Sequence, residues 1–168
     1  MAWAKLGTTT LASPTSSLDI TGTTPAKFNT MMLHTTGSQA SVGTSGAFRL
    51  GNGSFDSGSN YASRESINSG SDGTRTSQSN MYCFPNHSSG SDNGFLVGYI
   101  CNISSEEKLI IWFQTVDDTN SGSGSIGDRM EAVGKWTNTS VQADQIQMYN
   151  SLSRTFSTDS NFTLLGTD

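Results

Sequence analysis

The chain has 168 residues, enough for one domain, and a net charge of −5 from 9 basic and 14 acidic side chains. Hydrophobic residues make up 33% and charged residues 14%, whereas 28 Ser and 21 Thr put a small hydroxyl at 49 positions. Singly scattered Lys and Arg exclude the clustered basic face that nucleic acid needs, no run of about 18 apolar residues is present to cross a membrane, and two cysteines make no disulfide framework.

Good helix formers never accumulate with a 3.6-residue period, and period-two alternation dominates instead. In chain order, Phe28 to Thr35 reads as a strand with Phe28, Met32 and His34 on one face, and Phe28 and Met32 are assigned to the core. Ala47 to Leu50 and Asn60 to Arg64 follow as short strands. The strongest pair comes next. Phe95, Val97, Tyr99, Cys101 and Ile103 alternate with Leu96, Gly98, Ile100 and Asn102, and Phe95, Val97, Tyr99 and Cys101 are assigned to the core. Leu109, Ile111 and Phe113 then alternate with Ile110, Trp112 and Gln114, apolar on both faces as in a central strand, and Leu109, Ile111, Trp112 and Phe113 are assigned to the core. Ser104 to Lys108 between them is a polar hairpin connection. In Met130 to Trp136, the set Met130, Ala132, Gly134 and Trp136 points inward, with Arg129, Glu131, Val133 and Lys135 outward. Gln145 to Tyr149, contributing Ile146, and Phe162 to Leu165, contributing Phe162 and Leu164, complete the strands and the expected core. Both cysteines, Cys83 and Cys101, read as small buried hydrophobes.

Short strands joined by Gly, Ser and Asn predict an all-β, single-domain, jelly-roll-like antiparallel β-sandwich over residues 1–168. The connections 51–60, 66–80, 86–94 and 117–127 are long for such a fold, and long loops are commonly functional. Segments of this composition fray in isolation, so neighbouring subunits are expected to hold them. The candidate interaction residues are Phe55, Asp56, Asn60 and Asp72 in the first half, and His87, Asp92, Asp118 and Asn120 in the second.

Residues for catalysis are sparse. His34 reads as a sheet-face residue, and His87 with Cys83 supplies too few ligands for zinc. Gly122 to Gly127 lacks the Gly-x-Ser-x-Gly register of a nucleophile elbow. Glu106–Glu107 and Asp117–Asp118 sit in turns, without the opposed acids of a glycosidase cleft. Asp56 to Asn60 and Asp117 to Asn120 place oxygens at turns, but neither follows a calcium-loop pattern, and Asx residues in turns bond their own backbone. No cofactor is expected, with a structural calcium the nearest alternative. Met1 to Leu6 lacks a basic region leading into an apolar stretch, so no secretory signal is read and synthesis in a cytoplasm is expected.

The chain opens on Trp3 to Leu11, continues through Ser17 to Ile20, Gly58 to Arg64 and Gly70 to Gly73, then Tyr99 to Asn102, Glu107 to Leu109 and Arg129 to Trp136, and closes on Ser160 to Gly166. This order resembles small virion structural proteins of tailed phages, particularly marine ones, over nearly the whole length. The resemblance implies a β-sandwich located in the virion, as a capsid decoration protein or a tail or fibre component. It implies no catalytic residues. The expected function is non-enzymatic: cementing of neighbouring virion proteins through loops and termini, as a homo-oligomer, without nucleic acid or membrane. The alternative is a host-recognition module at a tail or fibre, binding a host glycan.

Overall fold

Alternating side chains suit pleated strands, and strands are what form. The computed structural model describes residues 2–36, 46–68, 70–83, 93–117, 123, 127–152 and 154–168, and among these it is all-β. In chain order the strands are β1 (Ala4–Thr10), β2 (Ser17–Ile20), β3 (Phe28–Thr35), β4 (Gly46–Asn52), β5 (Ser54–Phe55), β6 (Tyr61–Ile67) and β7 (Gly73–Gln78). They continue with β8 (Met81–Tyr82), β9 (Gly94–Cys101), β10 (Lys108–Val116), β11 (Asp128–Trp136), β12 (Gln145–Asn150) and β13 (Asn161–Thr167).

Two antiparallel sheets form a sandwich. The larger has eight strands in the order β1-β13-β3-β9-β10-β11-β6-β7. The smaller runs β2-β12-β4, with β5 and β8 sharing the far edge of β4. The meander β9-β10-β11 fills the centre of the large sheet, while β13, last in the chain, lies between β1 and β3. Segment 66–80, expected to be a loop, contains β7, which pairs Arg75 with Ser63 and closes one edge of the large sheet. Within 51–60, a hairpin turns at Gly53, whose φ of +69° suits glycine, and Asn52 faces Ser54 across it.

One contiguous core joins the sheets. Leu18, Ile20, Phe48, Leu50, Ile146 and Met148 of the small sheet meet Leu33, Leu96, Ile110, Trp112, Trp136 and Phe162 of the large one. The contact between layers includes an edge-to-face pair of Phe48 and Trp112, with centroids 5.1 Å apart at 89°. Trp112, Trp136, Ile146, Phe162 and Leu164, all expected in the core, are buried.

The central strands are turned the other way. Phe28, Phe95, Tyr99, Leu109, Ile111 and Phe113 were assigned inward but are 43–56% exposed on the outer face, with Met32, Val97 and Cys101 half-buried beside them. The opposite set, Leu96, Ile100, Ile110 and Trp112, faces the small sheet. Bulk supplies the reason. The Trp112 indole needs room, and its partners in the ladder are Gly98 and Ala132. Gly134 lies as close, since a Cβ there would be 3.0 Å from Trp112 Cζ3. A Cβ at Gly98 would run into Met31. The face holding both the largest side chain and the glycines is the one that interlocks.

Polar groups in the interior are tied down. Asn102 donates to the carbonyls of Ala26 (3.1 Å) and Ala143 (2.9 Å) and accepts from Ala143 N (2.7 Å), clamping the turn after β9 to the segment before β12. Lys108, expected in a polar turn, opens β10 and is fully buried. Its Nζ donates to the carbonyls of Glu106 (2.5 Å) and Asn138 (2.8 Å), and burial lowers its pKa. Cys83 is buried and Cys101 half-buried; both are free thiols.

Candidate functional site

Register arranges the outer face of the large sheet in rows. Phe28, Cys101 and Leu109 are cross-strand neighbours, ending on Lys135 and Ala62. The next row runs Thr30, Tyr99, Ile111, Val133 and Arg64. Below it stand Met32, Val97, Phe113 and Glu131, and a last row joins His34, Phe95, Thr115 and Arg129. Carbon therefore dominates a block on the outer faces of β9 and β10, extended by Phe28 and Met32 of β3 and Val133 of β11. Neighbouring apolar side chains at this spacing touch one another, so the block is continuous.

The two flanks differ chemically. On β11 and β6, Lys135 pairs with Glu107 at 2.8 Å, Arg129 pairs with Glu131 at 3.0 Å, and Arg64 is exposed. On β3 and β13 the flank carries hydroxyl and amide groups, Thr30, Thr163 and Asn161, with Thr163 donating to Asn161 Oδ1 (3.1 Å). Beyond β6, Arg75 pairs with the buried Glu65 and stacks 4.6 Å from the Tyr82 ring centroid. A shallow groove of about 750 Å³ crosses the face, with Tyr99, Leu109 and Ile111 in it and Trp3, Arg64 and Thr76 at its margins.

The exposed groove lining is almost entirely carbon, with the Cys101 thiol within it and Ser63, Thr74, Thr76 and Lys135 also contributing to its walls. Among the described residues no three His, Cys, Asp or Glu side chains converge on a point where a metal ion would sit.

The candidate loop residues divide. His87, Asp92, Asp118 and Asn120 lie outside the described residues. Asp72 and Asn60 are exposed, and Phe55 is half-buried. Asp56 is structural: its carboxylate accepts from Gly58 N (2.8 Å), Asn60 Nδ2 (2.9 Å) and the buried Trp136 Nε1 (2.7 Å). Burial alone would raise its pKa, but the hydrogen bonds from Trp136, Asn60 and Gly58 outweigh it and hold the carboxyl below the usual range. The next strand begins at Tyr61, whose hydroxyl lies 3.0 Å from the carbonyl oxygens of both Leu50 and Asp56 and accepts from Leu50 N at 3.1 Å. These bonds fix loop 52–60 against the sandwich end.

The apolar face itself was missed as a site because its residues were spent on the core. The signal was present. Ladder pairing carries the correct orientation of β11 across to β10, placing Ile111 beside Val133 and outward.

No family model matches the chain, and no curated protein matches it. Among solved structures, the CBM2 module of the Lactobacillus casei BL23 phage J-1 evolved Dit is similar at 12% identity and a TM-score of 0.26, covering 93% of this chain and 76% of that one. A likeness this slight carries no functional argument.

Proposed function

We propose that the chain is a non-enzymatic structural subunit of a phage virion, a decoration or cement protein that binds neighbouring virion proteins. The phage setting rests on the resemblance of the motif order. The assembly role rests on one observation, the continuous apolar face of β9 and β10 with Phe28 and Met32 of β3 and Val133 of β11 beside it. Lone apolar residues on a surface are ordinary, but a contiguous patch larger than a few hundred Å² marks an interaction site. Strands present this face rigidly, which suits a contact surface. Repetition by particle symmetry then multiplies each contact into avidity.

The experiment compares purified particles with and without the protein. The expected result is that the protein copurifies stoichiometrically and that particles lacking it burst at lower temperature, with stability restored on adding it back. Particles that never contain the protein, or that are equally stable without it, overturn the reading. A glycan array with the isolated chain tests the host-recognition alternative. The Trp3 and Tyr99 rings at the groove are the feature favouring a sugar, but aliphatic Leu109 and Ile111 beside them offer it no hydrogen bond.

A further inference from the structure

Given the assembly role proposed above, on which this step rests, we infer that the outer face of the large sheet is covered by a second copy of the same chain, the two sheets stacking about a two-fold axis.

Three observations point to this occupant. The first is the pattern of β9 and β10, which alternate apolar side chains on both faces, as strands do when they are covered on both sides. A sheet laid on this face would repeat the layer spacing of about 10 Å found in sandwiches.

The second is area. Six strands from β13 to β6, at about 4.8 Å spacing, with rows spanning about 23 Å along each strand, give about 650 Å² in projection and more once side-chain relief is counted. A stable two-partner interface needs about 800 Å² on each side. The face is therefore sized for one standard interface, and a copy of itself has a matching one.

The third is charge. A two-fold axis lying in the interface along the strand direction sets the β11–β6 flank of one copy over the β3–β13 flank of the other. The pairs Lys135–Glu107 and Arg129–Glu131, with Arg64, then meet Thr30, Thr163 and Asn161, and no like charges are stacked. The flank charges are already largely paired within the chain, so no strongly charged partner is called for. Isologous contacts require this self-complementarity.

The test uses the full chain in sedimentation velocity over a concentration series. The expected species has twice the 17.8 kDa chain mass and dissociates on dilution. Ile111→Asp places a charge at the centre of the face, at a position already exposed to solvent in the isolated chain, so it should give a monomer with an unchanged far-UV circular dichroism spectrum. Cys101 provides a readout that needs no variant. Its half-buried thiol lies in the groove, so maleimide should label it faster as the wild-type chain is diluted, while buried Cys83 stays unlabelled until unfolding. A chain that stays monomeric throughout, with labelling of Cys101 independent of concentration, overturns the inference. So does a dimer that Ile111→Asp leaves intact. If the chain is monomeric alone but Ile111→Asp abolishes its incorporation into particles, the assembly role stands and the second copy falls. If the chain dimerises but is absent from particles, the reverse holds.

Discussion

Exchanging Trp112 and Phe113 in turn for alanine separates the two faces of a single strand. Trp112 is fully buried and meets Phe48 edge-on, whereas Phe113, one residue later, is 46% exposed. An aromatic side chain buries about 150–250 Å², so removing Trp112 forfeits about 5 kcal/mol of transfer free energy at about 25 cal/mol per Å². Some of this is recovered by collapse around the alanine, leaving an expected loss of about 3–5 kcal/mol. Phe113 keeps only about half its area from water, giving about 2–3 kcal/mol on the same basis. Trp112→Phe should be gentler than its size change suggests, because Trp112 Nε1 has no hydrogen-bond partner among the described residues and its removal relieves an unsatisfied donor. Urea unfolding followed by far-UV circular dichroism, repeated at two protein concentrations, separates folding from association. A Phe113→Ala loss equal to or above that of Trp112→Ala would refute the assigned orientation of the central strands.

Asp56→Asn should cost about 1–2 kcal/mol at neutral pH through loss of charge-assisted bonds. Because the folded carboxyl lies below its unfolded value, near 3.9, the stabilisation from Asp56 is complete above that value and is lost as pH falls through the folded one. The acid limb of a pH–stability curve should therefore flatten in the variant, and identical acid limbs would count against the Trp136–Asp56 bond as its source. Gly51→Ala should destabilise by about 3 kcal/mol, since the added Cβ would collide with the Ser54 carbonyl and lie 2.8 Å from Phe55 Cα, both backbone atoms that cannot swing aside. A thermal melt unchanged by this substitution would mean that the β4–β5 hairpin is looser than described.

Fold class was legible because period two and turn chemistry are local properties. The strands around Phe28, Phe48, Val97, Ile111, Ala132, Met148 and Leu164 all stand where alternation places them. The orientation of β9 and β10 was not legible from alternation, since both of their faces are apolar and the outward one is the richer. Hydrophobicity counts how much carbon a face carries, whereas packing asks whether it interlocks with the opposing layer. Gly98 and Gly134 lower the apolar tally of the inner face, yet they make the space that Trp112 fills. Strand β7 escaped notice for a related reason. Its residues Thr74, Arg75 and Thr76 are exposed at a sheet edge, so no buried stripe distinguished them from a loop. Lys108 read as turn polarity because a lone charge carries no sign that two carbonyls await it.

The placement of β13 between β1 and β3 sets an order on biogenesis. Neither of those earlier strands acquires its neighbour on that side until the chain has been synthesised through Thr167. During translation β1 has no ladder partner, and β3 offers an open edge beside the apolar block. Nascent chains therefore pass through a stage in which strand edge and greasy surface are bare together, the state most prone to mispairing. Termination within β13 would prolong that stage indefinitely, and crowded synthesis of many copies makes rapid completion of β13 a condition for the yield of folded chain.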